Sequence, residues 1–309
     1  MARSNAANIV VLGSLNVDLI AQVTHLPTAG ETVLASKLEK RFGGKGGNQA
    51  LAAARQGAQV NIIACLGDDP EGRDYRNHLR RENINCSSLN TIRGSTGSAF
   101  ISVDTQGENQ IVVIPGANTA LTAPSVKMQR SRIAVSKAML VQMEIPLDTV
   151  LAAIGIANET SVPAILNASP IRADFPWGEV TIDVLIVNEK EAAQIFGITD
   201  PAGIQGQLSS KGIRQLIITR GSKSTLCLSK ITLSEAPTHP ITPVDTTGAG
   251  DAFAGAFTAH YAEGVSIIES VKWANVAAAL STLQLGAQEG MPHRGDVQSA
   301  MTRQAMDQA

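Results

Sequence analysis

The stretch Val244-Asp245-Thr246-Thr247-Gly248-Ala249-Gly250-Asp251-Ala252-Phe253-Ala254-Gly255 leads through three small residues into an alanine- and aromatic-rich helical pattern over residues 252–261. A strand-like segment with two prolines, Pro240 and Pro243, precedes it. Because glycine has no Cβ atom, a ligand can come close to this backbone. The first N–H groups of a helix have no partner within it, and with the macrodipole they form an anion site. The stretch therefore predicts an anion hole formed by Gly248, Ala249 and Gly250.

Asp251 follows this turn and has two interpretations. As a carboxylate in the first helical turn beside a bound phosphate, it would activate a hydroxyl for phosphoryl transfer. As an ordinary capping residue, it would only end a tight glycine turn. Short glycine motifs produce many false positives, so this stretch taken alone supports both interpretations.

Composition excludes several classes of protein. The 309 residues are 44% hydrophobic and 17% charged, which indicates a folded globular chain, and the net charge of -2 argues against a dedicated nucleic-acid binder. The polar residues 1–8 lead into an apolar run too short for a signal peptide, and no apolar run reaches about 18 residues. Three widely spaced cysteines show neither metal-ligand nor disulfide spacing. We therefore expect a cytoplasmic protein that has neither a membrane nor a nucleic acid as partner.

The first polar pair follows a predicted buried strand over residues 8–12. Asn16 and Asp18 are two residues apart, so an extended segment places both side chains on one face. An amide donates and a carboxylate accepts, so the pair is suited to binding vicinal hydroxyls. The alternative is an ordinary polar face of an edge strand.

A second glycine-rich stretch is Phe42-Gly43-Gly44-Lys45-Gly46-Gly47-Asn48-Gln49. It precedes a predicted helix over residues 50–56, which Gly57 ends. It has neither the P-loop ending nor the dinucleotide-binding spacing. The glycines permit close approach by a ligand, and Lys45 and Asn48 add hydrogen bond donors, which favours a ligand site over a flexible turn.

Two kinds of β-structure are predicted. Extended segments near residues 18–41 and a hairpin near 96–114 have no helices between their strands, which indicates a small separate sheet. From residue 138, apolar runs without alternation are separated by helices, which is typical of a parallel sheet covered on both faces. We predict one α/β domain over residues 1–309, with a Rossmann-like central sheet and a small inserted sheet.

In such sheets, ligands bind beyond the carboxyl ends of the strands. Glu144, Asn167, Asn188 and residues 219–222 all fall there. Glu144 either positions a hydroxyl or metal-bound water, or is a solvated strand end. Asn188 is equally suited to capping the helix that follows it.

Three motifs together resemble the ribokinase-like (PfkB) carbohydrate kinases, over essentially the whole chain: Gly13-Ser14-Leu15-Asn16-Val17-Asp18, Gly43-Gly44-Lys45-Gly46-Gly47-Asn48-Gln49-Ala50 and Asp245-Thr246-Thr247-Gly248-Ala249-Gly250-Asp251. The resemblance implies transfer of the ATP γ-phosphate to the 5-hydroxyl of D-ribose, giving ribose 5-phosphate. It also implies a lid formed by the small sheet, at about 17–42 and 95–115, and a homodimer through that lid. Alternatives are a sibling kinase for 2-deoxyribose, another pentose or a nucleoside, and a catalytically silent regulator that binds sugar or nucleotide.

The resemblance also implies roles for residues. Asp251 would be the base and Gly248, Ala249 and Gly250 the anion hole. The sugar would contact Asn16, Asp18, Gly44, Lys45, Gly46, Gly47, Asn48 and Glu144. The nucleotide would contact Asn188, Thr219, Arg220, Gly221, Ser222, Lys223, Ser224, Gly250 and Asn275. Mg²⁺ would accompany ATP, and an activating K⁺ would lie near Asp245, Thr247, Ser281, Gln284, Gly286 and Gly290.

Four positions depart from the family pattern. Gln284 stands for the usual Arg and Gly290 for the usual Ser, both near the implied cation site. Asn167-Ala168-Ser169-Pro170 stands for the usual Asn-Pro-Ala-Pro.

Overall fold

A computed structural model describes residues 6–307; the parts of our predictions that concern residues 1–5 and 308–309 lie outside this range. The strands are Asn8–Leu12 (β1), Asn16–Gln22 (β2), Lys37–Gly43 (β3), Gln59–Gly67 (β4), Asn85–Ile92 (β5), Gly97–Val103 (β6), Asn109–Ile114 (β7), Ala138–Gln142 (β8), Ala164–Asn167 (β9), Ile182–Asn188 (β10), Ile213–Arg220 (β11), Lys223–Ser229 (β12) and Leu233–Ala236 (β13). The α-helices are Lys45–Arg55 (α1), Pro70–Arg81 (α2), Ala123–Lys127 (α3), Arg130–Ala134 (α4), Leu147–Glu159 (α5), Glu189–Phe196 (α6), Pro201–Gln207 (α7), Ala249–Ala262 (α8), Ile267–Ser281 (α9) and Arg294–Asp307 (α10), and a 3₁₀ helix spans Gly116–Ala120.

The central sheet has the strand order β13-β12-β11-β10-β9-β8-β1-β4-β5. Pairing is parallel from β11 to β5, and the β12 and β13 pairings at one edge are antiparallel. Successive residues of β1 enter opposite hydrophobic cores, Ile9 and Val11 on one side and Val10 and Leu12 on the other. Both faces are therefore buried, which is why these strands are continuous apolar runs. The predicted fold class is confirmed.

The chain reverses its direction of winding at β1. From β1 it proceeds to β4 and β5 on one side, and from β8 to β11 on the other. The crevice at such a switch point is where open α/β sheets bind ligands. The segments after β1 and after β8 therefore begin the functional site.

The second sheet has the order β3-β2-β6-β7 and contains the predicted extended segments and hairpin. Gly107 has φ +84° at the hairpin turn, as the sequence indicated. Much of this sheet is exposed and apolar, including Phe100 and all of Ile111, Val112, Val113 and Ile114.

Several local predictions were wrong. The helix predicted over residues 50–56 begins at Lys45, because Gly44 is the N-cap with φ +81° and the first turn contains two glycines. The strand-like segment with Pro240 and Pro243 is an irregular loop, since proline has no N–H to donate to a sheet. Strand β5 and helices α3, α4 and α7 were not predicted; the three helices are short. Among residues 6–307, no helix combines the length and apolar composition needed to cross a membrane.

Helices α1 and α8 cross at Gly255, and this crossing sets the distance between the two glycine-rich helix starts. A Cβ on Gly255 would lie 2.5 Å from the Gln49 carbonyl oxygen and 2.6 Å from the Ala52 Cβ. We expect Gly255→Ala to lower the free energy of unfolding by about 1–3 kcal/mol, the usual effect of overpacking. In Gly155→Ala, the matched control in α5, the new Cβ has no neighbour within 4 Å, and we expect a gain of about 0.4–1 kcal/mol. Urea denaturation measures both, and a stabilised Gly255→Ala would contradict the close crossing.

Candidate active site

The segments that follow β1 and β8 meet at the start of α1. The Ser14 hydroxyl donates to Glu144 Oε2, and the Lys45 backbone N–H donates to the same oxygen over 3.0 Å. The Gly47 N–H donates to the Ser14 carbonyl over 3.0 Å. The first N–H groups of α1 are thus satisfied by protein. Glu144 caps the helix with Oε2, and its Oε1 forms no hydrogen bond with residues 6–307.

The glycines before and within α1 make room for other segments of the chain. A Cβ on Gly46 would lie 2.5 Å from the Gly13 carbonyl carbon, and one on Gly47 would lie 2.0 Å from the Tyr75 hydroxyl. A Cβ on Gly44 would lie 2.7 Å from the Asn16 N. Contact between protein segments therefore accounts for this glycine-rich run, a reason that the sequence did not indicate.

The start of α8 is different. Gly248 is its N-cap with φ +78°, and the Ala249 N–H donates to the Thr246 carbonyl over 3.2 Å. The N–H groups of Gly250 and Asp251 have no partner within residues 6–307. A Cβ on Gly250 would meet no atom within 4 Å, so this turn borders open space. Free donors at a helix N-terminus suit an anion.

Asp251 is 5% exposed, and each of its carboxylate oxygens accepts a hydrogen bond from α1. Asn48 Nδ2 donates to Oδ2 over 2.9 Å, and Gln49 Nε2 donates to Oδ1 over 2.8 Å. Behind them, Gln288 Nε2 donates to Asn48 Oδ1 over 2.9 Å and Gln142 Nε2 donates to Gln49 Oε1 over 2.6 Å. Two chains of buried amides thus converge on one carboxylate.

Lys45 lies between Asp251 and a large cavity. Its Nζ is 3.9 Å from Asp251 Oδ1, and its side chain is 27% exposed and lines the cavity. The negative charge of Asp251 raises the pKa of Lys45 despite the opposing effect of burial, and Glu144 adds to the rise. A fixed positive charge therefore stands where the cavity meets the carboxylate.

Asn16 and Asp18 lie on β2, beside the end of β3. Asn16 Oδ1 accepts from Asn118 Nδ2 over 2.8 Å, which leaves the Asn16 amide hydrogens available. The Asp18 carboxylate packs over Gly43, where a Cβ would lie 2.1 Å from Asp18 Oδ2. Burial, with the charges of Glu144 and Glu289, raises the pKa of Asp18 to about 7. The pair shares one face of β2, as the sequence predicted.

The large cavity has a volume of about 680 Å³ and lies at the carboxyl ends of β10 and β11. Of the residues assigned to the nucleotide, Asn188, Thr219, Gly221, Ser222, Gly250 and Asn275 line it. Its remaining wall includes Glu191, His239, Ile241, Phe253 and Thr282. The predicted nucleotide residues are thus largely brought together around one space.

Three predicted nucleotide residues point elsewhere. Arg220 donates to the Ser224 carbonyl over 2.6 Å and to Glu235 over 3.1 Å. The Ser224 hydroxyl also bonds Glu235, and Lys223 lies 3.7 Å from Glu189. None of the three lines the cavity, so their assignment stays a prediction.

Two asparagines at the cavity are engaged by the protein itself. Asn188 forms a capping box, because its Oδ1 accepts from the Glu191 N–H over 2.9 Å and its own N–H donates to Glu191 Oε2 over 2.8 Å. Asn275 donates to the Pro237 carbonyl over 3.0 Å and accepts from Thr225. Both residues shape the cavity wall in addition to any contact with a ligand.

The residues assigned to a monovalent cation cluster beside the start of α8. Asp245 Oδ1 accepts from the Thr247 N–H over 2.9 Å, and Oδ2 accepts from the Gly286 N–H over 2.8 Å. Burial opposes ionisation, but these backbone donors outweigh it and lower the pKa of Asp245. A Cβ on Gly290 would lie 2.1 Å from the Ser281 carbonyl oxygen and 3.5 Å from that of Gln284. The carbonyl oxygens of Ser281 and Gln284 thus converge at Gly290.

Sequence reasoning missed the residues that hold the site together. Gln49, Gln142 and Gln288 connect to Asp251 as described above, and Tyr75 and Asn118 support the same region. Gln49 and Gln142 had a usable signal, because Gln49 follows Asn48 directly and Gln142 lies two residues before the candidate Glu144. Tyr75 and Gln288 are distant in sequence and had none.

Comparison with known proteins identifies the family of the chain. The chain matches the family described as "pfkB family carbohydrate kinase" over residues 6–294. It is 36% identical to the ribokinase of Bacillus subtilis over 299 residues, covering 96% of this chain and 99% of that protein. It is 35% identical to the ribokinase of Haemophilus influenzae over 293 residues, with 93% and 95% covered.

Solved structures give the same result. The Arabidopsis thaliana ribokinase complexed with ribose and ATP is 28% identical, with a TM-score of 0.89 over 96% of this chain and 99% of that chain. The Cryptococcus neoformans ribokinase in complex with ADP is 31% identical, with a TM-score of 0.83. Fold and site define a phosphotransferase of the α/β class. The chain belongs to the pfkB family of carbohydrate kinases, so the family and the enzyme class predicted from sequence are confirmed.

Proposed function

We propose that this protein transfers the γ-phosphate of ATP to the 5-hydroxyl of D-ribose and yields ribose 5-phosphate. One observation carries the proposal: the buried Asp251 carboxylate lies at the free N–H groups of α8, where the nucleotide-sized cavity meets the polar side chains of α1 and the small sheet. The ribokinases of two bacteria match nearly the full length of the chain, and a related structure holds ribose and ATP. These relatives support ribose as the sugar.

The reaction needs positioning and charge stabilisation more than covalent chemistry, because phosphoryl transfer passes through a loose transition state. Asp251 accepts the proton of the attacking hydroxyl. The N–H groups of Gly250 and Asp251, at the positive end of α8, stabilise charge on the transferring phosphoryl group. Lys45 adds a positive charge at the junction of the sugar and nucleotide sites.

The sugar is held by groups that have unused hydrogen bonding capacity. Asn16 offers its amide hydrogens, Asp18 its carboxylate oxygens, and Asn48 the hydrogen that does not bond Asp251. Glu144 offers the oxygen that does not cap α1. This donor and acceptor set, from Asn16, Asp18, Asn48 and Glu144, suits a small polyol.

Sugar use should depend on pH through Asp18. With a pKa of about 7 in the free protein, its carboxylate is ionised above neutrality and protonated below. We expect kcat/KM for ribose to fall by about tenfold per pH unit below 7, because only the ionised form accepts two hydroxyl hydrogen bonds. Initial rates from pH 5.5 to 8.5 measure this, and Asp18→Asn should remove the dependence. An unchanged profile in Asp18→Asn would assign the ionisation to another group.

The raised pKa of Asp18 also makes the stability of the folded protein depend on pH. The unfolded chain loses the Asp18 proton near pH 4 and the folded chain retains it to about pH 7, so stability falls as the pH rises through this window. Asp18→Asn should therefore be more stable than the unmodified protein at pH 8, which thermal melts would check.

Two cations fit the residues present. ATP brings Mg²⁺ largely through its phosphates, and the Glu191 carboxylate at the cavity is a hard oxygen ligand for a hydrated ion. For K⁺, the Asp245 carboxylate retains lone pairs beyond its two N–H contacts, and the Ser281 and Gln284 carbonyls converge at Gly290. Mg²⁺ would neutralise phosphate charge, and K⁺ would stabilise the loop beside α8.

A cation effect should disappear with Asp245. We expect K⁺ to raise kcat about tenfold over tetramethylammonium at equal ionic strength, and Asp245→Asn to remove the difference. Asp174→Asn, at an exposed position that pairs with Arg172, is the control. If the unmodified protein has equal rates in both salts, K⁺ does not activate it. We would then conclude that the chain, with Gln284 and Gly290 at these positions, has lost the cation site.

The small sheet is proposed to act as a lid and as the contact of a homodimer. Its apolar residues Phe100, Ile111, Val112 and Val113 are each about half exposed or more. Exposed apolar patches of this kind mark interaction surfaces. Sedimentation velocity checks the dimer, and a monomer throughout the micromolar range would exclude it.

A cytoplasmic location, where ATP is available, is consistent with three buried free thiols.

A coupled ADP-release assay across ribose, 2-deoxyribose, fructose and adenosine tests the proposed reaction. Ribose should give the highest kcat/KM, because loss of one hydroxyl leaves buried polar groups of the site unpaired. Preference for 2-deoxyribose, another pentose or adenosine would reassign the sugar. ATP binding without turnover on any acceptor would indicate the silent regulator instead.

A further inference from the structure

A buried hydroxyl sets the direction of one amide chain that reaches Asp251. Tyr75, which is fully buried, donates its hydroxyl to the Gly43 carbonyl over 2.6 Å. A carbonyl only accepts, and a tyrosine hydroxyl has one hydrogen. In its other contact, 2.9 Å from Gln288 Nε2, the hydroxyl must therefore be the acceptor.

Because the Tyr75 hydroxyl accepts from Gln288 Nε2, the orientation of the Gln288 amide is fixed. Gln288 is 3% exposed. One hydrogen of its amide goes to Tyr75 and the other goes to Asn48 Oδ1 over 2.9 Å. Its Oε1 faces His78 Nε2 at 2.9 Å, so His78 donates there. All polar atoms of the Gln288 side chain are used, and its orientation has no alternative with the same number of hydrogen bonds.

Asn48 is oriented in turn. Because its Oδ1 accepts from Gln288, its Nδ2 faces Asp251 Oδ2 at 2.9 Å. A reversed Asn48 amide would place an oxygen against the buried carboxylate, and unmatched acceptors in such a site are costly. Asp251 Oδ2 therefore faces the NH₂ group of Asn48. The Gly43 carbonyl sets this orientation through Tyr75 and Gln288.

The other carboxylate oxygen is set in the same manner. Asn167 donates its amide to the Ile186 carbonyl over 3.1 Å, so its Oδ1 accepts from Gln49 over 2.9 Å. Gln49 therefore presents its second amide hydrogen to Asp251 Oδ1. Backbone carbonyls of two different segments orient the carboxylate from both sides.

We propose that Gln288 is a positioning residue for Asp251, acting through Asn48 and anchored by Tyr75 on the Gly43 carbonyl. The inference rests on the proposed function, in which Asp251 accepts the proton of the sugar hydroxyl. Gln288 does not line the cavity, so it influences the reaction only by holding Asn48, and hence the carboxylate, in one orientation. The lone pair left free on Asp251 then points in a constant direction.

The first test is Gln288→Glu, which replaces the amide donor by an acceptor of the same shape and forces Asn48 to reverse. We expect kcat to fall about 10–100-fold, the effect of losing a hydrogen bond to a charged group, with KM for ATP within about threefold. Gln56→Glu is the matched control: Gln56 is 2% exposed, and its amide bonds Pro292 and Trp273, away from Asp251. Equal losses of kcat in both variants would overturn the inference.

A second pair uses the tyrosines, in case Gln288→Glu does not fold. Tyr75→Phe removes only the anchoring hydroxyl, and we expect kcat to fall about 3–10-fold. Tyr261→Phe, a half-buried tyrosine of α8, should leave kcat unchanged. A thermal shift in Tyr75→Phe with kcat unaltered would mean a purely structural role and would contradict positioning.

Coupling to Asp251 separates this inference from the proposed function. In the Asp251→Asn background, Gln288→Glu should lower the residual rate by less than about threefold, since its effect passes through the carboxylate. Independently of any reaction, NMR of protein with ¹⁵N-labelled asparagine reads the Asn48 side-chain amide. Its downfield proton, bonded to Asp251, should move upfield in Gln288→Glu. If ribose is not turned over but this signal moves, the proposed function fails and the orientation of Asn48 by Gln288 stands; an unmoved signal overturns the inference.

Discussion

Asp251→Asn should lower kcat by about 10²–10⁴, the range for removal of a general base, while nucleotide binding is retained. The new amide cannot take the hydroxyl proton. It also places an NH₂ group toward either Asn48 or Gln49, both of which donate to the carboxylate in the unmodified protein. Steady-state rates of ADP release give kcat, and calorimetry with ATP gives the nucleotide affinity.

Asp174→Asn is the control for this substitution, because Asp174 is exposed and pairs with Arg172, outside the candidate site. It should retain full activity. Thermal melts of both variants separate loss of the base from loss of folded protein. Activity of Asp251→Asn close to that of the unmodified protein would remove Asp251 from its proposed role.

Lys45→Met should lower kcat by about 10²–10³, as removal of one preorganised group that stabilises transition-state charge does. The Lys45 amine is 3.9 Å from Asp251 and lines the nucleotide-sized cavity, so in the proposed reaction it would lie beside the transferring phosphoryl group. Its raised pKa, caused mainly by Asp251, means that it carries its charge at neutral pH. Methionine retains most of the side-chain length and removes that charge.

This experiment also separates two roles for Lys45. The family resemblance implies contact with the sugar, whereas its position at the cavity favours contact with the phosphoryl group. A raised KM for ribose with kcat within about threefold would support the sugar role alone. Lys272→Met is the control, since the Lys272 side chain is 41% exposed and pairs with Glu269 on the surface of α9.

The fold was largely predictable because its signals are local. Continuous apolar strands such as β1, β8 and β10 indicated a sheet buried on both faces, and the ends of these strands suggested a candidate site. The failures were also local in origin. Helix α1 starts after its N-cap Gly44, before the alanine-rich run. This start was not predicted, because glycines in a first turn weaken the helical pattern in the sequence.

The candidate site was predicted unevenly. Asp251 and the small residues before it follow from one continuous stretch, and the α8 N-terminus has free N–H groups there. The glycines of the second motif were interpreted as access for a ligand, whereas Gly46 and Gly47 admit Gly13 and Tyr75. A glycine in a sequence shows that space is needed and does not show what fills it.

The sequence by itself determined the α/β class, the family motifs and the main candidate residues, since periodicity, glycine turns and helix starts depend on neighbouring residues. Only the tertiary structure decided how Asp251 is held. Asn48 and Asp251 are 203 residues apart, and Gln288 and Asn48 are 240 apart. No local pattern contains the direction of a hydrogen bond between such residues, because that direction follows from the packing of α1 against α8 and from the backbone carbonyls at the ends of the amide chains.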